Sequence, residues 1–161
     1  MRFLILSDIH ANSTALEAAL SAAKGRWERS ICLGDMVGYG PDPNEVVDRV
    51  RGLDAVAIRG NHDKAACGLA DAEDFNPVAK TAANWTRDHL RTDNLDYLLK
   101  LPPGPLSADG MAIVHGALHD EDEYVFAPAQ ALDGLLESPS PVTFFGHTHF
   151  QGGFSYRDNK M

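Results

Sequence analysis

Five short apolar, β-favouring runs punctuate this sequence, and each ends in a small cluster of Asp, His, Asn or Gly. Asp8 and His10 follow the first run, and Gly34 and Asp35 the second. Gly60, Asn61, His62 and Asp63 follow the third, His115 and Gly116 the fourth, and Gly146, His147, Thr148 and His149 the fifth. Helical periodicity fills the gaps between runs, and that alternation argues for an α/β fold. Ligating side chains just past the carboxyl ends of strands lie where open α/β sheets place their sites.

The runs are Arg2–Ser7, Ser30–Leu33, Ala55–Arg59, Met111–Val114 and Val142–Phe145. Leu16, Ala19, Leu20 and Ala23 predict a helix from Ser13 to Lys24, with Thr14 and Glu17 as a capping box. Asp42, Pro43 and Glu45 open a second helix that runs to Arg51. The stretch from Lys64 to Lys100 reads as helical, with Val78, Ala82, Trp85 and His89 sharing one face of Pro77–Leu90. Leu101–Gly110 reads as a loop or turn between strands. A further helix spans Pro128–Glu137, and Phe150–Tyr156 is expected to add a strand.

With 161 residues the chain is long enough for one domain with a sizeable core. No apolar run approaches the roughly 20 residues of a membrane span, and Asp8 and His10 end the first run too soon for a signal peptide. The expectation is a cytoplasmic protein with no membrane partner. A net charge of −9 argues against broad nucleic-acid binding, although bound cations can reverse the sign inside a pocket. Cys32 and Cys67 lack metal-type spacing, and a disulfide between them is not expected in a cytoplasmic setting. Cysteine-rich zinc-structural sites are excluded.

Taken singly, the clustered residues have ordinary readings. Asp8 could cap a helix, Asp35 could end a turn, Asn61 could sit in a turn, and His115 could be a satisfied core histidine. Together they resist that reading, because five of the seven histidines fall in these clusters, each behind a different strand. Asp, His and Asn are good ligands for borderline divalent metals. Residues i and i+2 of extended backbone share a side, so Asp8 with His10, and His147 with His149, are expected to converge.

The ordered motifs Asp8-x-His10, Gly34-Asp35, Gly60-Asn61-His62-Asp63, His115 and Gly146-His147-x-His149 resemble those of the calcineurin-like metallophosphoesterase superfamily. The surrounding SDIHAN, GDMVGYGPDPNE and RGNHD segments look like its small prokaryotic phosphoesterases. The resemblance implies two mixed β-sheets packed as a sandwich with helices outside. It implies two divalent ions, manganese first and Fe, Zn, Co or Ni as alternatives, which activate water for attack on phosphorus. By the same resemblance Asp8, His10 and His149 hold one ion, Asn61, His115 and His147 hold the other, and Asp35 bridges them. His62 is then the catalytic histidine that is not a ligand. Asp63 occupies a variable acidic position.

Asn12, Tyr39 and His119 are further candidates for substrate contact, with Asn12 equally readable as a helix cap, and Tyr124, which like His119 follows His115, is expected to line the pocket. Arg59 reads as a surface charge, and His89, Trp27 and Trp85 as structural. The acidic run from Asp120 to Glu123 reads as solvated. The second motif lacks the further Asp and Arg of the superfamily's protein phosphatases, which disfavours that activity. The expected substrate is a small or nucleotide phosphate ester, cleaved by a phosphodiesterase or phosphatase. A dinucleoside polyphosphate hydrolase and a non-catalytic scaffold of the same fold stand as alternatives. Residues 1–161 are expected to form one domain, truncated at the C-terminus with the second sheet incomplete, because the superfamily usually continues beyond its GHxH motif.

Overall fold

The computed structural model describes residues 1–157. Two three-stranded sheets carry the architecture. The first holds β1 (Phe3–Leu6), β2 (Arg29–Cys32) and β3 (Val56–Ala57), in that order and parallel throughout. Helices α1 (Ser13–Ala23) and α2 (Pro43–Arg51) make the crossovers that parallel neighbours require. The second sheet orders β4 (Leu106–Ala108), β5 (Met111–Ile113) and β6 (Thr143–Phe144). It is mixed: β4 and β5 run antiparallel, while β5 and β6 run parallel around α6 (Pro128–Glu137).

Strand alternation explains how the layers assemble. Phe3, Ile5, Ile31, Val56 and Ile58 point one way from the first sheet and pack on Leu106, Ala108, Met111, Ile113 and Phe144 of the second. Leu4, Leu6, Cys32 and Ala57 point the other way, onto Leu16, Leu20, Val46, Val47 and Val50 of α1 and α2. The outer face of the second sheet meets α6 through Phe145, Ala131 and Leu135. The result is the expected sheet-on-sheet sandwich with helices outside.

The middle segment is helical, as expected, and differs in its breaks and in its inward face. The Lys64–Lys100 stretch is broken into α3 (Asn61–Cys67), α4 (Pro77–His89) and α5 (Thr92–Leu99). Gly68, at φ 73°, ends α3 in a left-handed cap. Asn76 caps α4, its side chain accepting from the Val78 and Ala79 amides. The buried face of α4 is Ala79, Ala83 and Thr86, not the expected face of Val78, Ala82, Trp85 and His89. Small side chains let α4 lie close to α3, where Ala83 joins Ala65 and Ala72. Val78 stays 69% exposed and Trp85 40% exposed.

Three smaller expectations also change. The cap of α1 is Asn12, whose Oδ1 accepts the Ala15 amide, while Glu17 of the expected capping box pairs with Arg49. Leu101–Gly110 contains a strand, and Asp109 and Gly110 close a β-hairpin with φ of 50° and 81°. Positive φ at both central residues is the hairpin turn that an Asp-Gly pair favours. Residues 150 to 156 form no strand. Among the described residues, no helix is long and apolar enough to cross a membrane.

Ile113 is fully buried between the sheets. Ile113→Ala should therefore cost about 2–5 kcal/mol in urea denaturation. Val78→Ala should change stability by less than about 0.5 kcal/mol, and a cost near that of Ile113→Ala would contradict the exposed assignment of its helix face.

Candidate metal centre

Parallel pairing brings every cluster to one edge. Leu6 pairs with Cys32 and Cys32 with Ala57, so the first three chain segments leave their sheet side by side. Backbone bonds then continue the pairing past the strands: the Asp8 amide donates to Gly34 O, His10 to Asp35 O, and Ala11 to Met36 O. In the second sheet Ile113 pairs with Phe144, and the Gly146 amide donates to His115 O. The two edges join where His115 Nδ1 donates to Leu33 O at 2.8 Å and the His147 amide donates to both oxygens of Asp8 at 3.1 Å.

The convergence is not achieved by extended backbone, as the i, i+2 spacing suggested. Asp8, His10, Asp35, His147 and His149 all have φ between 50° and 67°, as do Ala11 and Tyr39 beside them. Left-handed backbone at non-glycine residues costs about 1–3 kcal/mol each and clusters where function requires a fixed geometry. Gly60 contributes in another way. A Cβ there would run into the carboxylate of Asp35, so only glycine lets this backbone pass.

Two groups of candidate ligands result. Asp8, His10, Asp35 and His149 form one, and Asp35, His115 and His147 form the other, with the ligand atoms of each group within 4.8 Å of one another. Asn61 Oδ1 lies 3.1 Å from His115 Nε2, which adds it to the second group. Asp35 belongs to both. It is 1% exposed, and its Oδ1 accepts the His62 amide at 2.9 Å. Its Oδ2 is buried and, among the described residues, has no hydrogen-bond partner; it lies 3.6 Å from His10 Nε2 and 3.4 Å from His115 Nε2.

These residues fit cations. His10 Nδ1 donates to Val37 O and His115 Nδ1 to Leu33 O, so the inward Nε2 of each carries the lone pair in the neutral ring. His147 Nε2 donates to Asp122 O, which leaves its lone pair on Nδ1. His10 Nε2 faces His149 Nε2 at 2.9 Å, and His115 Nε2 faces the Asn61 carbonyl. With His10 and His115 neutral, their Nε2 lone pairs and the Asn61 carbonyl face a bare carboxylate oxygen, and a shared positive charge satisfies all of them.

The charges of the site follow from burial and neighbours. Burial works against ionisation of Asp35, but the imidazoles of His115, His62 and His10 hold its carboxyl below the usual carboxylate range. Burial likewise disfavours charge on His115, yet the Asp35 carboxylate outweighs it and raises the imidazole to about 9. A proton or a metal ion can each satisfy that carboxylate. Burial pushes His62 down to about 4, against the pull of Asp35. Burial and then Asp35 push Asp63 up to about 7. Asp63 acts in the frame: it accepts the Val37 and Gly60 amides.

His62 sits outside both groups. Its ring stands 4.8 Å from that of His10, 4.6 Å from Tyr39 and 4.6 Å from Phe75, and its buried Nδ1 has no hydrogen-bond partner among the described residues. It lines a cavity of about 510 Å³ together with Tyr39, Asn61, Phe75, Tyr124 and His147. Tyr124 stacks on His147 at 3.9 Å. His119 is elsewhere, half exposed and 3.5 Å from Glu137. Asn12 has its side-chain oxygen engaged in the α1 cap.

Arg59 and the acidic run, both expected at the surface, are structural here. Arg59 binds Glu121 at 3.0 Å, and Lys64 is only 7% exposed, donating to Glu121 and Asp122. The acidic run is therefore not simply solvated: Glu121 and Asp122 tie it to α3 and to the end of β3. Sequence reading passed over Lys64 and Phe75 because nothing local marks them. Their roles depend on which distant segments they meet.

The chain matches the sequence profile of the calcineurin-like phosphoesterase superfamily domain over residues 1–159. A metallophosphoesterase structure from Sphaerobacter thermophilus superposes with a TM-score of 0.81 and 42% identity, over 92% of this chain and 61% of that one. A structure described as a candidate diadenosine tetraphosphatase matches with a TM-score of 0.65 and 24% identity, over 91% of this chain and 75% of that one, and shares the fold. An uncharacterized protein of Methanocaldococcus jannaschii is 41% identical over 99 residues, covering 61% of this chain and 41% of the relative. The chain thus spans less than two thirds of the length of two of these three relatives. It belongs to the calcineurin-like phosphoesterase superfamily.

Proposed function

We propose that this chain hydrolyses phosphate esters using two divalent metal ions held on either side of Asp35. The observation that carries this reading is the buried, unpartnered Oδ2 of Asp35 between two histidine-bearing groups. Asp8, His10 and His149 would hold one ion with Asp35, and Asn61, His115 and His147 the other. Mixed Asp, Asn and His donors suit Mn, Fe, Co, Ni or Zn, and we take manganese as the first choice. When bound, such a pair supplies Lewis acidity and a nucleophilic water near neutral pH.

The remaining chemistry belongs to the chain itself. Tyr39, Phe75 and His10 surround His62 and restrict its ring. With its pKa lowered to about 4, the imidazole is neutral near pH 7 and still has one N–H to donate. It is placed to give hydrogen-bond or proton support to the leaving oxygen of an ester seated at the centre. The fixed left-handed backbone of Asp8, Asp35 and His147 holds the ligands in position before substrate arrives.

The surroundings favour a small ester with a flat leaving group. Tyr39 lies between the catalytic cavity and an apolar groove lined by Pro41, Val78 and Trp85. That groove accepts an aryl or nucleoside group by stacking. A chain of several phosphates fits less well, because the ammonium of Lys64 in the cavity is already paired and Asp71 and Asp74 share the same wall. The scaffold alternative is disfavoured because no position of the ligand set is missing. Free Cys32 and Cys67 support a reducing, cytoplasmic setting. The shared inter-sheet core supports a single domain.

Three outcomes test this reading. Chelator-stripped protein should melt at a higher temperature on adding Mn²⁺, and Asp35→Asn should abolish the gain; an equal gain in both proteins would remove Asp35 from the centre. His62→Ala should still bind the ions but lose about 10²-fold or more in turnover of an alkyl phosphodiester, with a much smaller loss for p-nitrophenyl esters. Full activity of that variant on the alkyl ester would remove His62 from catalysis. Tyr39→Ala should raise KM for aryl esters while leaving methyl esters unchanged.

A further inference from the structure

The cation that neutralises the acidic run is unusually placed. Lysine is rarely buried unless paired, and Lys64 is held under the 117–126 segment by three close contacts to Glu121 and Asp122. It stands on α3 one turn after Asn61, so its backbone moves with that ligand. Its partner Asp122 offers its main-chain carbonyl to His147 Nε2 at 3.0 Å. The neighbouring Tyr124 stacks on the same imidazole. Arg59, from the end of β3, anchors Glu121 in parallel. One ammonium thus joins the helix that carries Asn61 to the segment that orients His147.

We infer that Lys64 is a positioning residue for the ion held by Asn61, His115 and His147, acting through Asp122 to fix the ring of His147. The inference rests on the proposed metal centre. A hydrogen bond from the far nitrogen of a ligand histidine sets its tautomer and aim, and losing such support typically weakens metal binding about 10–100-fold. Without Lys64, Asp122 and Glu121 would repel one another and draw the segment toward solvent, taking the carbonyl away from His147. Among the described residues, Asp8, His10 and His149 make no hydrogen bond or ion pair to this segment, and their hydrogen-bonded link to it runs through the His147 amide. The effect should fall on one ion only.

Isothermal titration of Mn²⁺ into chelator-stripped protein tests this, with circular dichroism to confirm folding. The wild type should take two ions. Lys64→Met should take one as the wild type does and the other about 10–100-fold more weakly, while Lys64→Arg restores most of the loss. Asp122→Asn keeps the carbonyl and weakens the ammonium contact, and it should lower affinity for the same ion by a smaller factor. A folded Lys64→Met that binds both ions as tightly as the wild type, or loses both equally, would overturn the inference alone. A wild type that binds no Mn²⁺ or Zn²⁺ would overturn the metal centre itself, and this inference with it.

Discussion

The structure turns on one carboxylate. Asp35 is buried where two sheets meet, one oxygen held by the His62 amide and the other without a partner between two sets of histidines. Burying a charge is costly unless something of opposite sign compensates it. The arrangement around Asp35 is therefore a demand for cations built into the fold. The parallel register, the glycine that clears its path and the left-handed turns at neighbouring ligands all serve to bring partners to that oxygen.

The fold supplies the rigidity. Parallel strands aim the chain ends of β1, β2 and β3 at one edge, and β5 and β6 aim theirs at the same place from the second sheet. The apolar residues between the sheets fix the separation of those edges. The His115 bond to Leu33 O and the His147 amide bonds to Asp8 then close the seam. The candidate ligands of both layers meet because both layers pack. Under the proposed function, substrate choice lies outside this frame, in the cavity walls and in the groove beside Tyr39.

Much of this was legible in the chain. The β1, β2, β5 and β6 runs were found within a residue or two, and α2 and α6 to the residue, because apolar runs, capping residues and prolines are local signals. The convergence of the candidate ligand clusters is legible because Asp, His and Asn recur behind successive strands. Other features were not. The inward face of α4 is not legible, because bulky Val78 and Trp85 outweigh alanines in any periodicity count, while close helix packing selects the alanines. The β4 strand was missed because three residues carry little pattern, although Asp109-Gly110 marks its turn. The positive φ of the ligands and the pairing of Lys64 with Asp122 depend on long-range contacts that no local spacing encodes.

The central claim is that Asp35 lies between two metal ions. Anomalous diffraction from crystals grown with Mn²⁺, collected at the manganese edge, tests it most directly. Two peaks about 3.5–4 Å apart, one on each side of the Asp35 carboxylate, are the expected result. A single peak, or peaks that leave Asp35 uncoordinated, would contradict the account.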